Sequence, residues 1–356
     1  MAEYPGSDQE RRIPPAVLAS DVARIFAACG MADADAALLA NSLAEADRRG
    51  IHSHGTLRVP EYVEKLTRHG VNPQGRPRVV SERGAALVID ADNAMGQVAA
   101  DFAMRQAIER ARATHVAFAA VRGSNHCGAM DHWAMMCLPH DMIGIATTDA
   151  LPTMAPWGGI DKIVGINPLA IAIPGWEEPP VVLDIAFGAT AHGKIRVYHQ
   201  KGFPIPEGWA FDAEGDPTTD AAAAMAGLIQ PIGAHKGVGL GIVMGMLASL
   251  LSGAAYGTEL GNMVDGPSAG RDGHLFIAID IAAFQPVEAF RRRVDGITRQ
   301  IATSRRRAGV DQLYPPGWLE RHFAERYAED GIPLNDETLA GIRAAGRRFG
   351  LDVLAG

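Results

Sequence analysis

A chain of 356 residues with 47% apolar and 21% charged residues has ordinary globular composition and enough length for two domains, each with a buried core. Its formal charge of −8 argues against nucleic acid or an anionic membrane as main partner, so an anionic ligand needs a local basic cluster. The polar start MAEYPGSDQERR has no apolar signal core, and three scattered cysteines, Cys29, Cys127 and Cys137, fit a reduced, cytoplasmic compartment.

Two helices are expected first, Pro15 to Cys29 and Ala34 to Arg48, stopped by Gly30 and Gly50. They deliver Arg49-Gly50-Ile51-His52-Ser53-His54-Gly55, followed by Arg58 and Tyr62. Imidazoles exchange protons near neutral pH, a guanidinium grips a carboxylate through two bonds, and hydroxyls fix substrate oxygens. These are parts for a small anionic substrate. Spaced four apart, His54, Arg58 and Tyr62 would share one face of a helix, although Pro60 would kink or restart it. A third helix, Pro60 to Arg68, ends at Gly70, and VNPQGRPR from Val71 to Arg78 has linker composition, so a domain boundary is placed there.

Beyond it, short β-rich runs alternate with helices. Strands are expected at Arg78 to Ser81, Ala86 to Ile89, Val116 to Val121, Met142 to Thr147, Leu169 to Ile173, Val181 to Ile185 and Leu275 to Ile279, with a long helix from Gln97 to Ala113. The turn Gly175-Trp176-Glu177-Glu178-Pro179-Pro180 reads as a hairpin, making the sheet at least partly antiparallel. The apolar run Val238 to Leu251 is too short and glycine-rich to span a bilayer and reads as a buried helix. Helices at Glu288 to Arg305 and Asp336 to Phe349 close the chain, which thus begins and finishes helical around an α/β middle.

A second histidine cluster, Gly123-Ser124-Asn125-His126-Cys127-Gly128-Ala129-Met130-Asp131-His132, follows the Val116 strand, a strand-end loop of the kind in which α/β proteins build sites. The two clusters offer enough ligand types for zinc, and hence for a metal-dependent hydrolase, but no spacing matches a metal motif such as HExxH. No GxGxxG opens a helix after a strand, which argues against an ordinary Rossmann fold. Two other segments can still hold separated anionic groups. Val181 to Thr190 is a strand running into small residues where amides can approach phosphate, and Pro231 to Gly237 places His235 and Lys236 at the start of an apolar helix.

These segments together resemble the non-Rossmann malate/L-lactate dehydrogenase family, which includes ureidoglycolate, sulfolactate and diketogulonate dehydrogenases and a reductase of cyclic imino acids. The resemblance is carried in order by RRGIHSHGTLRVPEYVEKL (48 to 66), VRGSNHCGA (121 to 129), APWGG (155 to 159), GINPLAIAIP (165 to 174), VVLDIA with AHGKI (181 to 195), PIGAHKGVGL (231 to 240) and GHLFIAIDIAAF (273 to 284). It implies an α/β, NAD(P)-binding domain over 76–285, with a predominantly antiparallel mixed sheet flanked by helices. It also implies a mainly helical domain from 1–75 and 286–356, and a homodimer acting on a small-molecule carboxylate with NAD or NADP.

Under that resemblance His54 or His126 is the acid/base, and Leu183 to Phe187, His235, Lys236 and Gly317 contact the cofactor. By their own chemistry Arg58 is expected to hold the substrate carboxylate and Ser53 and Tyr62 to orient its oxygens. Reduction of a cyclic 2-imino acid is the alternative within the family, and His52 resembles that branch. The chain departs from the family at Thr148-Asp149-Ala150, where the extra carboxylate is expected to disfavour dicarboxylate substrates. It departs again at Tyr314-Pro315-Pro316-Gly317-Trp318, which lacks a polar residue after the glycine.

Overall fold

The computed structural model describes residues 9–68, 70–261 and 269–354. Residues 1–8, most of the polar start, lie outside them. After a short strand, Arg11–Ile13, paired antiparallel with Ile332–Leu334, come α1 (Pro15–Ala28) and α2 (Asp33–Arg48), then two short 3-10 turns, His52–His54 and Thr56–Arg58, before α3 (Val59–Thr67). The single helical face expected for His54, Arg58 and Tyr62 therefore does not form. Pro60 sits in the first turn of α3, where its missing N–H costs no helical bond, so the chain restarts there and turns more tightly ahead of it.

Seven strands form the main sheet: β1 (Arg78–Arg83), β2 (Ala86–Asp90), β3 (Val116–Ser124), β4 (Met142–Thr148), β5 (Leu169–Ile173), β6 (Val181–Ile185) and β7 (Asp272–Asp280). Their order is β1-β2-β3-β7-β4-β5-β6, and only β2 and β3 run parallel. That parallel pair needs a crossover, which α4 (Gly96–Thr114) supplies. β5 and β6 pair antiparallel across the Gly175 to Pro180 turn, as the hairpin reading required.

One sheet face buries Ala119, Val121, Ala146, Ala170 and Phe276 against α4, whose inner side is mostly alanine, and against α5 (Met130–Ala134). Small residues on both surfaces let helix and sheet backbones approach closely. A second core joins α1, α2 and α3 to Tyr327, Ile332, Leu339 and Ile342 near the C-terminus, through α9 (Trp318–Asp330) and α10 (Asp336–Arg347). Met95 and Val98 of the α4 entrance belong to this helical core, so α4 ties the two layers together. A smaller core lies beneath α6 (His192–Gln200), with Ile195, Ile205 and Ile229.

Two helices differ from their readings. α7 (His235–Ser249), expected to be buried, leaves Leu240, Val243 and Leu247 between 37% and 50% exposed, with Leu250 and Leu251 beyond it at 55% and 58%. α8 (Val287–Ala302) takes no part in the helical core and lies against the β5–β6 turn. There Arg291 binds the Gly175 carbonyl at 2.6 Å, and Asp295 accepts the N–H groups of Trp176 and Glu177 at 2.8 and 2.9 Å. No described helix is long and apolar enough to cross a membrane.

Candidate active site

Where the helical layer meets the sheet, a cavity of about 320 Å³ opens. Its walls are the Arg49 to His54 turn, Gly128 to Asp131, Val182, Asp184 and Ala186 along β6, Gly188 to Ala191 with Lys194, and Leu319, Glu320, Phe323 and Tyr327 of α9. Strand alternation explains the β6 contribution: Val182, Asp184 and Ala186 point into the cavity, and Leu183 and Ile185 point to the opposite face. Phe187 is buried in the protein.

The turn that presents His54 is organised by Asp47, at the end of α2 and 1% exposed. Its carboxylate accepts His52 Nδ1–H at 2.8 Å, Thr56 N–H at 2.7 Å and the Thr56 hydroxyl at 2.6 Å. Gly55 must be glycine for the same reason, since a Cβ there would fall 2.0 Å from Asp47 Oδ1. Ser53 Oγ reaches His54 Nδ1 at 2.9 Å, and the His54 and His126 rings stack with centroids 5.7 Å apart.

His126 is held in one tautomer. Gly128 N–H donates to its Nδ1 at 3.3 Å, so that nitrogen accepts from the Tyr62 hydroxyl at 2.6 Å, which itself accepts from Gln97 at 3.2 Å. The proton of the neutral ring is then on Nε2. Burial, and secondarily the Arg58 charge, lowers His54 to about 3. Burial, followed by His54 and Arg58, holds His126 well below the usual imidazole range, so both rings are neutral in the resting protein.

Across the cavity Asp184 Oδ2 accepts the Asp131 N–H at 2.9 Å, and Arg49 Nε donates to Asp131 Oδ2 at 2.8 Å. Burial, then the neighbouring Asp131 carboxylate, holds Asp184 above the usual carboxylate range. Thr190 Oγ1, also at this wall, is buried without a hydrogen-bond partner among the described residues. The Gly188 backbone is packed so closely that a Cβ would fall 2.7 Å from Ile229. An orphan hydroxyl, a buried carboxyl and a close-packed small-residue backbone fit a bound planar amide or a phosphate ester.

Several sequence candidates lie elsewhere. Arg58 does not line the cavity. Its Nη1 is paired with Glu61 at 2.7 Å and its Nε with the Ser53 carbonyl at 2.9 Å, and its Nη2 is turned toward Gly193. His235 and Lys236 open α7 outside the cavity, His235 with its ring centroid 6.4 Å from that of Trp157. Gly317, at φ +86°, lies so close to β6 that a Cβ would meet Val182 Cβ at 2.8 Å, and it places the following helix at the cavity rim. Asp149, expected beside the substrate, is turned away from it. It is 3% exposed and accepts from Ser249, Gly257 and Ala150, so the expected bar to dicarboxylates loses its physical basis.

Asp47 and Lys194 are site residues to which the sequence assigned no role, and Asp131 entered only among candidate zinc ligands. Asp131 and Lys194 stood inside quoted segments, whereas nothing in the spacing marked Asp47. Among the described residues no group of three or more His, Cys, Asp or Glu side chains could hold a metal ion, so the hydrolase alternative finds no ligand set. Burial pushes the Cys127 thiol up, the opposite of an activated nucleophile.

Below the site His274, fully buried, bonds Thr148 Oγ1 at 2.7 Å and Ser124 Oγ at 2.8 Å, and burial lowers it to about 4. Below its ordinary value of 6.5 the unfolded chain takes up a proton that the folded one refuses, so this contribution is complete above about pH 6.5 and is lost as pH falls toward about 4. The loss approaches about 3 kcal/mol. Urea midpoints measured across this interval should fall with pH, and His274→Gln should flatten the slope; an equal slope in both proteins would remove His274 as its source.

A family model for malate/L-lactate dehydrogenase matches residues 13–343. The chain is 35% identical over 348 residues to a malate dehydrogenase of Pyrococcus abyssi, covering 96% of this chain and 95% of that one. It is 34% identical over 309 residues to a ureidoglycolate dehydrogenase (NAD(+)) of Escherichia coli K12, covering 86% and 88%. A solved structure of the sulfolactate dehydrogenase from Methanocaldococcus jannaschii superposes with a TM-score of 0.89 at 34% identity, covering 96% of this chain and 98% of that one.

Proposed function

We propose, from the premise that this chain belongs to the malate/L-lactate dehydrogenase family, that it interconverts a small 2-hydroxy acid and its 2-oxo acid with NAD or NADP. The observation that carries this is His54, backed by the stacked His126 ring, opposite Asp184 and the orphan Thr190 hydroxyl across one cavity. When bound, the nicotinamide exchanges a hydride with C2 of the substrate.

Everything else is done by side chains of this protein. Asp184 and Thr190 would hold the cofactor's polar groups at the β6 wall, with Ala186 lining it between them. His54, neutral at rest, accepts the hydroxyl proton in the oxidation direction. In reduction it returns that proton to the oxygen, its basicity raised by the substrate's carboxylate. His126, fixed by Tyr62, keeps the His54 ring in place. Lys194, a cation that lines the cavity, would meet the substrate carboxylate.

The test is oxidation of NADH and NADPH with a panel of 2-oxo acids and the cyclic imines piperideine- and pyrroline-2-carboxylate. Turnover of a 2-oxo acid is the expected result. Turnover of the imines alone would transfer the assignment to the reductase reading, and binding of neither reduced nucleotide at millimolar concentration would overturn both.

The open side of the sheet supports a homodimer. Phe118, Ile277, Ile145, Ile171 and Leu183 stand in register across five strands, all but Phe118 half-buried and Phe118 42% exposed, beside the exposed leucines and valine of α7. An apolar patch this continuous is rare on a monomer and is what a second copy would cover. Val243→Asp combined with Leu247→Asp is expected to convert the dimer to monomer in sedimentation equilibrium; a wild-type monomer at micromolar concentration would end this part of the proposal. All three cysteines are free and buried, which supports a reducing, cytoplasmic setting.

A further inference from the structure

His52 has no role in the proton transfer, yet it stands in the wall of the reaction cavity and in the wall of a second one. The second cavity measures about 270 Å³ and lies behind the His52 turn, between α3, α6 and the start of α10. The partition is thin. On α6 and its approach, Ala191 and Lys194 face the reaction cavity, whereas Gly193 and Val197 face the second one. The His52 ring completes the wall, its Nδ1 bound by Asp47 and its face 6.3 Å from the Tyr327 ring on the reaction side.

Part of the second cavity's wall can take a hydrocarbon chain. Leu57, Pro60, Val197 and Leu334 supply apolar surface, and its two cations are already matched, Arg196 by Glu61 at 2.9 Å and Lys201 by Glu10 at 3.2 Å. Asp47 and Glu337 add further carboxylates, so this lining offers an incoming anionic group no new ion pair.

We propose that His52 sets the upper length of the substrate. Its ring closes the reaction cavity against the second one, and removing the ring lets the uncharged aliphatic tail of a longer 2-oxo acid extend behind it. This rests on the dehydrogenase reading above. A pocket that accepts or refuses one methylene changes kcat/KM by roughly 10- to 200-fold, so several carbons of new depth have a large signature. The Asp47 carboxylate keeps both Thr56 bonds when His52 is replaced, so the turn that carries His54 stays anchored.

The experiment compares kcat/KM for pyruvate, straight-chain 2-oxo acids up to 2-oxohexanoate, and 2-oxoadipate. The proteins are the wild type, His52→Ala, and His52→Ala with Val197→Phe, which refills the second cavity from α6. In His52→Ala the 2-oxohexanoate to pyruvate ratio is expected to rise at least about tenfold, with no gain for 2-oxoadipate, and Val197→Phe is expected to restore the wild-type ratio. Should His52→Ala fail to fold, His52→Asn, which keeps a donor for Asp47, is expected to raise the ratio about threefold.

A ratio unchanged in the folded variants overturns the proposal, and so does an equal gain for 2-oxoadipate or a gain that Val197→Phe leaves intact. Those failures leave the dehydrogenase reading standing. A wild type that reduces no 2-oxo acid in the panel sinks that reading and this proposal together.

Discussion

Replacing His54 by alanine is expected to lower kcat by about 10²- to 10⁴-fold, the usual contribution of a positioned general acid or base. The ring faces the cavity, is bonded to Ser53 Oγ, and is held neutral by burial and the Arg58 charge. With its resting value lowered to about 3, the base form is already present, so kcat/KM for hydroxy-acid oxidation should show no acidic limb from His54 between about pH 5 and 8. Binding of the reduced nucleotide, read from tryptophan quenching, should change less than about threefold, since the ring acts on the substrate. A kcat loss below tenfold would remove His54 from the proton transfer. A larger loss in His126→Ala than in His54→Ala would assign the proton to His126.

The second large effect comes from a residue with no chemistry. Gly96 is the first residue of α4, and a Cβ there would fall 2.0 Å from the Asn125 carbonyl oxygen and 2.4 Å from that of His126. Both obstacles are backbone, and neither can retreat. The Asn125 side chain donates to the Ala94 carbonyl at 2.8 Å and to Asn93 Oδ1 at 3.0 Å, and the Cys127 carbonyl is bonded by Trp133 at 3.0 Å.

Gly96→Ala must therefore shift either the start of α4, which joins both cores, or the loop that carries His126. A loss of about 3 kcal/mol or more is expected, seen as a Tm lower by roughly 5–10 °C, with at least about a tenfold fall in kcat as the His54–His126 stack is displaced. Gly296→Ala is the control: it lies exposed in α8 with open space around it and is expected to be neutral or slightly stabilising. Equal behaviour of the two variants would show that the contact at Gly96 relaxes without cost.

Elements whose periodicity came from their own neighbours were legible along the chain. The seven strands lay within a few residues of their expected places, because alternating apolar side chains and flanking turn residues are local signals. The β5–β6 hairpin followed from its Gly-Trp-Glu-Glu-Pro-Pro turn alone. Helices α6 and α9 were missed: α6 carries five polar or charged residues in nine, and α9 follows a proline-glycine turn that reads as loop. The α7 reading went wrong for a different reason. A helix apolar all round is expected in a core, and the sheet covers only one side of it.

The site divides the same way. The sequence by itself determined which groups are present: two histidine clusters, a nearby arginine and tyrosine, a strand running into small residues, and the absence of a glycine fingerprint for an ordinary Rossmann fold. It could not determine which of them meet, because the contacts that matter span long separations: Asp47 with Thr56 across a turn, Tyr62 with His126, Arg49 with Asp131, and Asp131 with Asp184.

Packing decided that Arg58 is held by Glu61 rather than open to the cavity, and that Asp149 is turned into the protein rather than toward substrate. It also set the histidines' protonation, since burial, which only the folded chain possesses, is the first cause lowering both. Residue identity supplies the chemistry available; the dielectric, the tautomer and the neighbours that direct that chemistry exist only once distant segments have excluded water between them.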